Sequence, residues 1–89
     1  MTEPVNLLGG NVAYIEGPIK VKQYSKVHYL IHNASNGKWF VNWKNQEYDL
    51  NYTDNDLLLD IPIKELGTFT LIYKTNKEDV SLDITIIKM

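Results

Sequence analysis

Along much of the chain, large apolar side chains recur at every second position. Val27, Tyr29 and Ile31 are interleaved with Lys26, His28, Leu30 and His32, and Trp39, Val41 and Trp43 with Lys38, Phe40 and Asn42. Leu57, Leu59, Ile61 and Ile63 alternate with Leu58, Asp60 and Pro62. Phe69, Leu71 and Tyr73 alternate with Thr68, Thr70 and Ile72, and Val80, Leu82, Ile84 and Ile86 with Ser81, Asp83, Thr85 and Ile87. A strand turns successive side chains to opposite faces, so each run predicts a strand with one face buried and the other wet. No stretch holds apolar residues at helical spacing over three turns. The pattern predicts an all-β chain.

Turn-forming clusters divide these runs: Gly9-Gly10, Gly17-Pro18, Asn33-Ala34-Ser35-Asn36-Gly37, Asn45-Gln46, Thr53-Asp54-Asn55-Asp56 and Thr75-Asn76-Lys77-Glu78-Asp79. Breaks every 8–12 residues or so are the spacing of sandwiches and barrels. Seven strands result: A (11–16 or 18–22, split by Gly17-Pro18), B (24–33), C (38–44), D (47–52), E (57–63), F (67–75) and G (79–88). Pro62 has no amide proton to donate, so its place in strand E predicts an open edge or a bulge. Residues 1–10 form a short lead and 11–89 one domain. The predicted core holds Tyr29, Ile31, Trp39, Val41, Leu59, Ile61, Phe69, Leu71, Leu82 and Ile84. Trp43, late in strand C, fits either core or rim.

Composition narrows the chemistry. With 89 residues and no cysteine, the chain has no disulfide framework, thiolate metal site or cysteine nucleophile, and its stability must come from the apolar core. The net charge of -2 comes from interspersed acids and bases, without the basic stripe of a nucleic-acid binder. No segment approaches the ~20 apolar residues of a membrane-spanning helix. Met1-Thr2-Glu3-Pro4 lacks the basic and apolar regions of a signal peptide.

No catalytic, cofactor or metal constellation emerges. His28 and His32 fall on one face of strand B, but at ~3.3 Å per residue they stand roughly 13 Å apart, too far to share an ion. They read as outward-facing strand histidines. Asp54-Asn55-Asp56 has the alternating oxygens of a calcium loop, with Asp49 and Asp60 near by. The glycine such a loop needs at its sixth position is replaced by Leu59, and the stretch that follows reads as strand. Asn33-Ala34-Ser35 and Asn51-Tyr52-Thr53 are glycosylation sequons that matter only in a eukaryotic secretory route, and in so asparagine-rich a chain such sequons arise by chance. Ser25, Ser35 and Ser81 lie at a strand start, in a turn and on an outward face, none in a strained elbow. The expectation is a protein that is not an enzyme.

The order of these residues resembles the immunoglobulin-like domains. Those place a tyrosine at the corner entering strand F, after an acidic-x-Gly turn and two residues before a core cysteine, and Phe69 here lacks its hydroxyl. Here Glu65-Leu66-Gly67-Thr68-Phe69-Thr70-Leu71 sets Phe69 at the corner and Leu71 at the cysteine position. Tyr29 or Val27 would take the strand B cysteine position, and Trp39 that of the strand C tryptophan. Ile15-Glu16-Gly17-Pro18-Ile19-Lys20-Val21 is similar to the opening strands of bacterial and phage Ig-like and PKD-like domains. So is Val27-x-Tyr29-x-Ile31 followed by Gly37-Lys38-Trp39-x-Val41. The likeness runs from about residue 11 to 88, and with no disulfide it points to the cysteine-free microbial group. It implies a seven-stranded Ig-like sandwich that binds, spaces or adheres, and it transfers no catalytic residue.

The remaining signal is a surplus of apolar residues. On the predicted C–F–G sheet, Phe40, Ile72 and Ile87 fall on the face away from the core, with Asn42, Thr68, Thr70, Asp83 and Thr85 as a polar rim. On the B–E sheet, Leu30 and Leu58 do likewise. The expectation is a protein-contact module whose contact face is Phe40, Ile72, Ile87, Asn42 and Thr70. As the resemblance implies, the partner would be a capsid, tail or surface component, and the module would sit on a virion or cell surface. The alternative is a small phage or bacterial inhibitor that occupies a host target in the cytoplasm. A third reading is carbohydrate binding on the platforms Trp43, Tyr48 and Tyr52. No nucleic acid, membrane span or cofactor is expected, and the oligomeric state is open.

Overall fold

A computed structural model describes residues 12–61 and 65–88. The lead segment and the expectation for Pro62 and Ile63 lie outside the described residues. Eight strands follow in order: β1 (Tyr14–Glu16), β2 (Lys20–Lys22), β3 (Lys26–His32), β4 (Lys38–Trp43), β5 (Gln46–Asp49), β6 (Asp56–Asp60), β7 (Gly67–Lys74) and β8 (Asp79–Ile87). They form a three-stranded sheet, β1-β3-β6, and a five-stranded sheet, β2-β8-β7-β4-β5. The chain is all-β and built of two sheets, as the alternation predicts.

The predicted register holds, which matters because a one-residue slip would exchange core and solvent faces throughout. Tyr29, Ile31, Trp39, Leu59, Ile61, Phe69, Leu71 and Ile84 are buried, while Val41 and Leu82 are half-buried and packed against them. Ile15, Val21, Leu57, Tyr73, Val80 and Ile86 complete the core. Trp39 is fully enclosed: its indole N–H donates to Asp54 O at 2.7 Å and its ring meets Tyr73 edge-on, centroids 4.9 Å apart. The hydroxyl of Tyr73 in turn accepts from the Gly37 amide at 2.8 Å. Buried polar tips thus find partners, which spares the desolvation penalty of an unpaired group.

Two expectations are corrected. The opening segment is two strands in two sheets rather than one split strand. β1 pairs antiparallel with β3, and after Gly17-Pro18 the chain crosses to pair β2 in parallel with β8. That makes eight strands among the described residues rather than the seven expected. Gly17 lies so close to Tyr29 that a Cβ would overlap the ring and sit 2.9 Å from His28 O, so the crossing is made without a side chain. Strand D is also shorter than the expected 47–52: β5 ends at Asp49, and it pairs with β4 in the large sheet. Lys44 and Asn45 both take positive φ, 53° and 64°, which closes a two-residue hairpin whose twist suits adjacent antiparallel strands. That turn delivers β5 back along β4 and, among the described residues, leaves β6 paired on one side only.

Tyr29 is nearly sealed, and its hydroxyl donates to Pro18 O at 2.8 Å. Burial disfavours the phenolate and pushes its pKa from 10.0 to about 12. The unfolded chain then ionises first as pH rises, so stability is full below about pH 10 and falls towards pH 12. Tyr29→Phe should lose about 1 kcal/mol near neutrality and show a shallower alkaline decline than the native protein. Urea midpoints at about pH 9 and about pH 11 test this; equal declines in both proteins would overturn it.

Candidate contact surfaces

On the outer face of the large sheet, β4 sets Phe40 directly opposite Ile72 of β7 and Asp49 of β5. Asn42 faces Thr70, and Thr70 faces Asp83 of β8. The pairing therefore brings together four of the five residues expected to form a contact face. Ile87 does not join them. Ile72 faces Ser81, and Ile87 lies six residues further along β8, roughly 20 Å away at ~3.3 Å per residue. Its neighbour across the β2 edge is Lys22.

Phe40 and Ile72 are half-buried, although alternation with buried Trp39, Leu71 and Tyr73 sets them on the face away from the core. The Lys74 ammonium stands 4.7 Å from the centre of the Phe40 ring and ends on Glu47 of β5 at 2.8 Å. A second cross-strand pair, Lys38–Asp49 at 3.0 Å, flanks the ring. The Glu47 carboxylate raises the Lys74 pKa above the usual lysine value. The Asn51 amide, then Lys38, lowers the Asp49 pKa below the usual carboxylate range. Both shifts favour the charged forms. Towards β8 the rim is polar and laced by Thr70 Oγ1 donating to the Asp83 carboxylate at 2.7 Å and by Thr68 with Thr85 at 3.2 Å. The face is an aromatic–aliphatic pair beneath a lysine strap, within a polar border.

The small sheet turns Leu30 and Leu58 outwards. The two histidines lie here, each beside a carboxylate of a neighbouring strand. His32 Nε2 meets Glu16 of β1 at 2.6 Å and stacks on Tyr14, while His28 lies 3.7 Å from Asp56 of β6. No three metal-ligating groups come together among the described residues. In Asp54-Asn55-Asp56, the first two carbonyls are taken by Trp39 and Ile31 and the third residue opens β6. This is a strand entry.

A third feature was not anticipated from sequence. Where β5 and β6 fail to meet, the two sheets part over an apolar recess of about 240 Å³. Val41, Trp43, Tyr48, Leu50, Leu59, Ile61 and Phe69 line it, with Asp60 its one charged residue. Trp43, left open between core and rim, is half-buried on this wall and lies under Lys44, which also pairs with Glu65. Of the proposed sugar platforms, Trp43 and Tyr48 share the recess, and Tyr52 is not among its lining residues. The only legible signal was the polar run Asn51–Asp56, which provides no strand to fill the gap.

Comparison with known protein families, with curated proteins and with solved structures finds no match. None of the described residues forms a helix long and apolar enough to cross a membrane.

Proposed function

We propose that the chain is an Ig-like module that acts by protein contact rather than by catalysis. The strand order supports the Ig-like reading: β1, β3 and β6 take the places of A, B and E, facing β2, β8, β7, β4 and β5 as A′, G, F, C and C′. Trp39 occupies the strand C core position, and Tyr29 and Leu71 fill with apolar bulk the places a disulfide would hold.

The observation that carries the contact reading is the Phe40–Ile72 pair. Large apolar side chains opposite one another on an outer sheet face, bordered by Asn42, Thr70 and Asp83, have the apolar centre and polar rim of an interface. Each still forgoes part of a burial worth ~1.5–3 kcal/mol, which a partner would recover. The setting favoured by the sequence resemblance is a virion or surface assembly with a structural protein as partner. Inhibition of a host protein is the alternative setting for the same face. The Phe40→Ser/Ile72→Ser double variant should stay folded and lose capture by particles or partner. A folded variant that binds with native affinity would refute the proposal for this face.

A further inference from the structure

The recess matters because of the strand that borders it. Ile31 N–H donates to Asn55 O and Ile61 N–H to Ser25 O, which sets the phase of the β3–β6 ladder. In an antiparallel pair the bonded residues alternate, so Leu57 and Leu59 exchange hydrogen bonds with β3. The backbone N–H and C=O groups of Asp56, Leu58 and Asp60 therefore point the other way, to the open edge. No strand among the described residues lies beyond that edge. An edge of this kind is a template for another strand.

We propose that the free edge of β6 and the apolar recess beside it accept an extended peptide strand with apolar side chains turned inward and Lys or Arg facing Asp56 and Asp60. The proposal rests on the reading of the chain as a protein-contact module and names a second surface with its own partner chemistry. Three observations select this occupant. The ladder groups at Asp56, Leu58 and Asp60 call for a backbone in strand conformation. A strand laid there would project alternate side chains over Trp43, Leu50 and Phe69, and about 240 Å³ suits side-chain anchors, below the ≈ 300–1,000 Å³ of small-molecule sites. The carboxylates at both ends of Asp56–Asp60 attract basic residues directly opposite.

The same carboxylates reject a second copy of this strand. Antiparallel pairing about Leu58 would set Asp56 against Asp60, like charge against like. The chain's own first eleven residues contain Glu3 and no basic residue, so they lack the required chemistry as well.

The test titrates the isotope-labelled full chain with the capped peptide Gly-Ser-Lys-Leu-Thr-Leu-Lys-Ser-Gly and follows amide and indole resonances. Saturable shifts are expected at Asp56, Leu58, Asp60 and the Trp43 indole. Exchanging both lysines for glutamate should weaken binding about tenfold or more, and so should N-methylation of the central threonine, which removes a ladder donor. Asp56→Lys/Asp60→Lys should reverse the preference between the two charge forms. The Phe40→Ser/Ile72→Ser variant should bind the lysine peptide unchanged, which separates this site from the outer face. Equal affinity of the two charge forms, undiminished binding of the N-methylated peptide, shifts confined to other surfaces, or no saturable binding at millimolar peptide would each overturn the proposal.

Discussion

Replacing Trp39 by alanine is expected to remove most of the protein's folding stability. The side chain has no exposed surface, sits against Tyr73, and is held by Asp54 O at one end while its backbone N–H bonds Tyr52 O. Truncation removes this apolar bulk, leaves a cavity between the sheets and takes the donor from Asp54 O. Large aromatic truncations of this kind cost about 3–5 kcal/mol. A small domain without disulfides holds on the order of 5 kcal/mol in total, or a few more. The loss therefore consumes most of the margin. A urea transition with an unchanged midpoint would show that Trp39 does not organise the core.

The second large effect is expected from one added methyl group. Gly37 is buried just before β4, and a Cβ there would stand 2.5 Å from Lys74 O and 2.6 Å from the Tyr73 ring. The nearer atom is backbone at the end of a central strand and cannot swing away as a flexible side chain can. The ring cannot retreat either, because Trp39 packs against it and its hydroxyl holds the Gly37 amide. Gly37→Ala should therefore destabilise by about 1–3 kcal/mol or somewhat more, through overpacking and a weakened Tyr73 hydrogen bond. Thermal melts of native and variant protein test it. Coincident midpoints would mean that the loop relaxes freely.

These two positions show what can be read from a sequence of this kind. Trp39 was legible as core because it stands in a run of alternating residues, and alternation is a local property. Gly37 was legible only as turn punctuation, since its constraint comes from Tyr73 and Lys74, some 36 residues away along the chain. The Phe40–Ile72 pairing followed from placing the two strands side by side, whereas the lysine strap over Phe40 did not. It depends on which rotamer Lys74 takes between a ring and a carboxylate on two other strands. Ile87 shares the parity of the contact face but not its level, because parity fixes the side of a sheet and not the position along it. Sheet membership was the hardest to see. β1 and β2 have the same exposed–buried–exposed pattern yet join different sheets, and β5 is exposed at all four positions. Nothing local in either case names the neighbour, and the open seam beside β6 follows from that choice of neighbour.

The crossing between β1 and β2 also determines how the fold bears tension. β2 runs parallel to β8, joined over Lys20–Lys22 and extended by Thr85 N–H to Ile19 O and Gln23 N–H to Ile87 O. A pull that separates the Tyr14 side of the chain from the Ile87 side drags these two strands past each other lengthwise. Their hydrogen bonds are then strained together rather than peeled one at a time, and Val21 must leave the core in the same movement. The short parallel ladder thus acts as a shear clamp between the two flanks of the chain.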